Sequence, residues 1–366
     1  MTADLEYEAE STRHRQSHRY MGLDGLRGVA ALVVAVWHRR AWMPSYGDWH
    51  GYLAVDFFFL LSGFVISHAY GVRIARGVLS LRRFAIERVI RLYPLIFLGT
   101  LFGTTDLVIN GLTTGHLRWM VNAIAAVPFA ALAIPAPVFS EPFRTNPPVW
   151  SLFFELIANA AFAIVLARAK VQQLAAFTFL AAILIATIVA KHGDILLGWL
   201  WPTLPAGLAR VSFSFVGGVL LQRLYAKGGF AIPGLPVWVT AVALTAILAS
   251  PALPNAAAEV CFTVFVLFVA FPLIVASAVS DQPSPRWLAA AEISARLSYP
   301  LYILHTPIYR LLEQLDAFES APALARYFIA VPTALCAALL AELLYDIPVR
   351  RALRNRLDSA KRFGRI

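Results

Sequence analysis

The chain has 366 residues, of which 59% are apolar and 14% charged, and its mean hydropathy is +0.68. Soluble domains run near 45–50% apolar and about 25% charged, which rules against a water-soluble globule, a disordered chain, a coiled coil and a disulfide scaffold, and leaves an all-α, polytopic transmembrane helical bundle. The net charge of +10 would point to nucleic acid in a soluble protein. In a membrane protein it marks cytoplasmic loops, so no nucleic-acid partner is expected.

Residues 1–20 are polar and of mixed charge, and the apolar stretch after them ends in His38-Arg39-Arg40 rather than at small residues. The N-terminus therefore does not read as a cleavable signal. A bilayer core takes about 20 apolar residues per helix. Candidate spans are 22–41, 53–71, 92–110, 149–167, 174–190, 207–225, 236–250, 256–279, 297–313 and 323–345. A further stretch, 118–134, is short, with Arg118 and Asn122 near its start and Pro128 inside it.

Charge decides that stretch. If it does not cross, the ten spans leave 22 basic residues in inner segments and five in outer ones; if it crosses, the balance becomes 11 against 16. The positive-inside rule selects ten spans with both termini cytoplasmic. Residues 111–148 then form a long outer segment, which can dip into the membrane only against protein or a water-filled cavity. The expected organisation is a polar cytoplasmic segment at 1–20, a transmembrane domain at 21–346 and a basic cytoplasmic tail at 347–366. Cys261 and Cys336 lie in apolar runs without a CxxC partner and read as small core residues. No metal is expected.

Charged side chains inside spans are costly and mark functional sites. In the first span, Arg27 and His38 are eleven residues apart, close to three helical turns, so they share a face about 16 Å apart along the axis. Glycines 22, 25 and 28 allow another helix or a ligand to approach closely. The alternative is that Arg27 snorkels to the inner headgroups and His38 caps the outer end. Asp56, near the outer end of the second span, lies at the depth expected for His38. It either caps its helix or fixes the imidazole's tautomer. The inner stretch 82–94 carries Arg83, Arg88 and Arg91, an arginine cluster suited either to bidentate phosphate contacts or to anionic lipid. Residues 146–160 place Ser151 and Glu155 on one helix face, with Glu155 an uncompensated carboxylate near the outer membrane surface. Ser298, Tyr302 and His305 line one side of the ninth span.

These motifs together resemble the membrane acyltransferase-3 family. The resemblance rests on LDGLRGVAALVVAVWH (23–38), VDFFFLLSGFVIS (55–67), RRFAIERVIRLYP (82–94), PPVWSLFFE (147–155) and LSYPLYILHTPI (297–308), in order, followed by Tyr345-Asp346-Ile347-Pro348-Val349-Arg350. It covers roughly residues 20–350, and these 366 residues hold no SGNH hydrolase domain, which makes the likeness closer to the stand-alone members. It implies an O-acyltransferase of the bacterial inner membrane, surrounded by lipid, that moves an acyl group, most often acetyl, from cytosolic acyl-CoA to a hydroxyl of a glycan or glycolipid. It implies His38 as the essential histidine, Arg27 as its motif partner, and the arginines near the third span, best matched by Arg88 and Arg91, as donor-binding residues. With Asp56 and Glu155, His38 and Arg27 form the expected catalytic set. Arg83, Arg88 and Arg91 form the donor site, and Ser151, Tyr302 and His305 the acceptor side. A proton-coupled transporter, or an acyltransferase acting on a small molecule such as a macrolide, are the alternative readings. No paired broken half-repeats support the transporter.

Overall fold

A computed structural model of the chain describes residues 20–42, 48–228, 232–281 and 285–362. The expectation for the polar head therefore lies, apart from Tyr20, outside the described residues. The described residues are mostly helical: α1 (Met21–Trp37), α2 (Ala54–Ala75), α3 (Leu81–Thr113), α4 (Leu117–Ala131), α5 (Val149–Ile164), α6 (Val171–His192), α7 (Leu204–Ala226), α8 (Val237–Leu248), α9 (Ala256–Phe265), α10 (Phe271–Ser280), α11 (Pro285–Glu313), α12 (Asp316–Glu319), α13 (Ala323–Ala341) and α14 (Ile347–Arg362). Single π-turns, Val266–Ala270 and Glu342–Asp346, join α9 to α10 and α13 to α14. Each of the ten predicted spans falls on a helix. Among the described residues, six stretches are long and apolar enough to cross a membrane on their own, and α4, α5 and α8 are shorter apolar helices. The protein is a multi-pass membrane protein.

Apolar faces decide which helices sit inside. The most extensive contact is between α1 and α11, followed by α2 with α7. Two of the predicted glycines close the first pair: Gly25 faces Ala291, and a Cβ at Gly28 would collide with Ser294, whose hydroxyl donates to the Gly25 carbonyl at 2.9 Å, while Gly22 faces the Ala278 carbonyl of α10. The second pair uses Gly63 and Gly218, each pressed against the other helix's backbone. With no hydrophobic effect between helices in lipid, backbone approach of this kind is what holds them together. The stretch containing α2 is mostly buried, whereas those containing α6 and α13 present most of their surface outward. Cys261 and Cys336 are also exposed, which corrects their reading as core residues. The lipid-facing side of a membrane helix is as apolar as its core side, so composition could not separate the two.

Ser80 caps α3 by accepting from the Arg83 backbone N–H at 3.2 Å. The helix has 33 residues, about 50 Å at 1.5 Å per residue, against roughly 30 Å of hydrocarbon. Its arginine-bearing first turns therefore extend beyond the apolar layer. The stretch 118–134 forms α4, which packs along α3, and the irregular chain after it folds back onto the same helix. Thr145 and Asn146 are buried there against Gly103 and Gly99. The segment 48–53 and the chain from 249 into the first turn of α9 are clasped by an antiparallel bridge between Trp49 and Pro251 and by buried His50, which reaches the Ser250 carbonyl at 2.9 Å and Glu259 at 2.7 Å.

Candidate active site

His38 is the C-cap of α1, and its backbone N–H bonds the Val34 carbonyl. Its ring Nδ1 lies 2.9 Å from the same carbonyl oxygen. His305 on α11 repeats the pattern, with Nδ1 3.0 Å from the Leu301 carbonyl. A carbonyl only accepts, so each Nδ1 carries the hydrogen and each Nε2 keeps its lone pair. The two rings meet with His305 Nε2 3.2 Å from His38 Nδ1. His305 thus accepts a share of the hydrogen that His38 donates. His38 Nε2 is left as a lone pair with no hydrogen-bond partner among the described residues. His305 is fully buried. Trp37 lies edge-on to the His38 ring at 5.0 Å and Tyr309 edge-on to His305 at 5.8 Å. Arg39, next to His38, pairs with Glu313 at 3.1 Å.

Asp56 does not reach this pair. It forms a bidentate ion pair with Arg210 of α7, at 2.6 and 3.2 Å, and both side chains are 1% exposed. Arg210 also donates to the Leu197 carbonyl at 2.8 Å and stacks over Trp150 at 5.1 Å. The expectation that Asp56 fixes the His38 tautomer is therefore corrected. Two backbone carbonyls fix the ring hydrogens instead, and the carboxylate is consumed by a buried cation.

At the opposite end of α1, Arg27 pairs with Asp24 at 3.2 Å and faces a cavity of about 990 Å³ whose lining includes Arg27, Arg73, Arg91, Arg223, Arg296 and Arg350. A second cavity of about 360 Å³ lies between α2, α3, α5 and α11, and shares Arg27, Arg91 and Tyr299 with the first. Its walls carry Arg88, Glu155, Ser151, Ser298 and Tyr302. Glu155 is not the uncompensated outer carboxylate expected: Oε1 accepts from Arg88 at 3.1 Å and from Ser62 at 2.8 Å. Ser151 and Tyr302 share a hydrogen bond of 2.6 Å. Tyr302 and His305 are nearly one turn apart on α11, ring centroids 6.1 Å apart, so Tyr302 links the second cavity to the histidine pair. Arg83 lines neither cavity; it pairs with Glu87 at 2.8 Å and lies 3.6 Å from Asp358.

The structure therefore brings Arg27, Arg88, Arg91, Glu155, Ser151 and Tyr302 together around two adjoining cavities, with His38 and His305 beyond Tyr302. It separates Asp56 and Arg83 from them. Sequence reasoning overlooked Arg210, although an arginine inside the predicted span 207–225 was itself the signal. It also overlooked Tyr299, whose hydroxyl donates to the Leu92 carbonyl at 2.6 Å where the two cavities meet. Among the described residues, no group of three or more His, Cys, Asp or Glu side chains is placed to hold a metal.

Comparison with known proteins adds chemistry to this geometry. A family model described as "Acyltransferase domain" (acyltransferase-3) matches residues 20–343. "Protein 2 in picA locus" of Rhizobium radiobacter is 36% identical over 186 residues, 47% of this chain and 96% of that protein. "Putative O-acetyltransferase SACOL0978" of Staphylococcus aureus (strain COL) is 31% identical over 119 residues, 32% of this chain and 18% of that protein. "Putative peptidoglycan O-acetyltransferase YrhL" of Bacillus subtilis (strain 168) is 40% identical over 89 residues, 23% of this chain and 13% of that protein. The match thus spans less than a fifth of the two named O-acetyltransferases. No solved structure matches the chain.

Proposed function

We propose that this chain, which belongs to the acyltransferase-3 family and is a membrane acyltransferase, transfers acetyl from cytosolic acetyl-CoA to a hydroxyl of a glycan or glycolipid at the outer side of a bacterial inner membrane. The observation that carries the reading is that two arginine-bearing cavities share Arg27, Arg91 and Tyr299 in their walls, and that Tyr302, in the wall of the smaller one, neighbours the His305–His38 pair. A donor is read as reaching from the larger cavity, past Arg91 and Tyr299, along Glu155, Ser151 and Tyr302, toward His38. Eight arginines and four carboxylates line the two cavities, an excess of four positive charges. Coenzyme A carries a phosphomonoester of about −1.5 to −2 at pH 7, and its diphosphate adds one charge per phosphorus. The donor's charge therefore matches the excess. Guanidinium groups also suit phosphate by their fork geometry.

In this reading, the nucleotide occupies the larger cavity and the pantetheine arm the smaller one, with the thioester directed toward Tyr302. His38 Nε2 takes the proton of the acceptor hydroxyl as its oxygen attacks the thioester carbonyl. The carbon–sulfur bond breaks, and the departing thiolate receives that proton. A positioned base of this kind contributes about 10²–10⁴-fold. His305 is a positioning residue: its lone pair, with the Val34 carbonyl, holds the His38 ring so that Nε2 faces the reacting hydroxyl. Tyr302 supplies a hydroxyl near the thioester oxygen. The glycan acceptor follows the family resemblance and the name of the Bacillus relative.

The test is purified protein in lipid nanodiscs, given acetyl-CoA labelled in the acetyl group and a glycan or glycolipid fraction. Wild type labels the acceptor. His38→Ala loses about 10²-fold or more, and His305→Ala lowers kcat while leaving the KM for acetyl-CoA near wild type. Full transfer by His38→Ala would overturn the assignment. Label retained on His38 without acceptor would replace the general base with an acyl carrier.

A further inference from the structure

A stripe of charged residues begins at the end of the last predicted span and runs into the basic tail. Glu342, Asp346, Arg350 and Arg354 are spaced four residues apart, the interval that aligns side chains on one helix face. The π-turn Glu342–Asp346 carries this stripe from α13 into α14, and such turns recur at functional sites. Glu342, Asp346 and Arg350 line the larger cavity and Arg354 the smaller one, opposite Arg27 of α1 and Arg91 of α3. The two carboxylates are buried, 4% and 2% exposed. Each holds an arginine by one oxygen, Glu342 to Arg296 at 3.1 Å and Asp346 to Arg350 at 2.6 Å. The other oxygen of each, Glu342 Oε2 and Asp346 Oδ1, is buried without a hydrogen-bond partner. Arg354 is exposed and forms no ion pair with a carboxylate among the described residues.

We propose that this stripe is part of the donor site: Arg350 and Arg354 bind phosphate, and Glu342 and Asp346 hold the arginines in place for it. This rests on the acyl-CoA reading above. A buried carboxylate left half-satisfied is costly, and here the cost secures a guanidinium at the cavity wall. Asp346 meets Arg350 Nη2 through Oδ2 and leaves Oδ1 without a partner, so the contact does not use both oxygens of the carboxylate against the fork, and the remaining N–H groups are the ones assigned to an anion. Arg354 faces the narrower cavity, where the nucleotide end meets the pantetheine arm. Phosphate on the donor and phosphate on an anionic lipid headgroup present the same chemistry to α14, and the experiment separates them.

The protein is placed in nanodiscs of phosphatidylcholine alone, and in nanodiscs with added phosphatidylglycerol, and CoA binding is measured by calorimetry. The principal variant is Arg354→Gln, which breaks no ion pair. Arg350→Gln is the second, accepted only where its melting temperature equals that of wild type. Each is expected to raise the Kd for CoA about tenfold in phosphatidylcholine, the size of one charge-assisted hydrogen bond. Asp346→Asn should weaken CoA binding in the same direction. Arg91→Gln is the control for the donor site itself. CoA binding lost in Arg91→Gln but unchanged in Arg354→Gln overturns the stripe's role alone. Failure of wild type to bind CoA in either nanodisc overturns the stripe's role and the donor reading together. If Arg354→Gln lowers association with phosphatidylglycerol and leaves the Kd for CoA at the wild-type value, α14 is a lipid contact and the proposal is wrong.

Discussion

At the scale of single residues, charge inside an apolar helix was legible and its partner was not. Asp56 and Arg210 are 154 positions apart, so no local pattern joins them. A carboxylate and an imidazole at matching depth suggested a pair that the helix arrangement does not make. Burying two charges is tolerable only when each has a partner. Removing one should be severe: Arg210→Leu is expected to destabilise the protein by about 3–5 kcal/mol, read as a lower melting temperature in nanodiscs. Asp56→Asn in the same chain should recover part of that loss, because it discharges the stranded carboxylate. Equal melting temperatures for Arg210→Leu and wild type would show that the pair is not buried as described. His38, by contrast, was marked by the helix face it shares with Arg27, eleven residues earlier. What the sequence lacked was His305, 267 positions away, as the neighbour that shares its ring hydrogen.

At the scale of elements, periodicity carried furthest. Glycines 22, 25 and 28 were legible as a close-packing stripe, and that stripe meets Ala278, Ala291 and Ser294. Their partners could not be read, since small residues accept any helix and only the full bundle selects α10 for Gly22 and α11 for Gly25 and Gly28. Gly28→Ala would drive a methyl into Ser294. It is expected to cost about 1–3 kcal/mol and to separate Arg27 from the arginines opposite it. A thermal melt of that variant at the wild-type temperature would contradict the packing. The short apolar run at 118–134 forms a helix of 15 residues, about 22 Å long. Pro128 sits inside it without breaking it.

At the scale of the whole molecule, charge asymmetry and hydropathy led to a multi-pass bundle, and each predicted span lies on a helix. The orientation itself is testable with reporters fused at residues 1 and 366 that report only from the cytoplasmic side. Ten spans place both inside; reporters on opposite sides would mean an odd number of crossings. By itself, the sequence determined the membrane class, the helical periodicity and the presence of costly polar groups within spans, because each depends on local composition and on the length of chain a bilayer requires. Only the tertiary structure decided which of those groups meet. It gave Asp56 to Arg210, Glu155 to Arg88, and His38 to His305, and it gathered eight arginines around two adjoining cavities. Lipid-facing and core-facing sides of a membrane helix are equally apolar, and side chains far apart in the chain are juxtaposed only when every helix has chosen its neighbour.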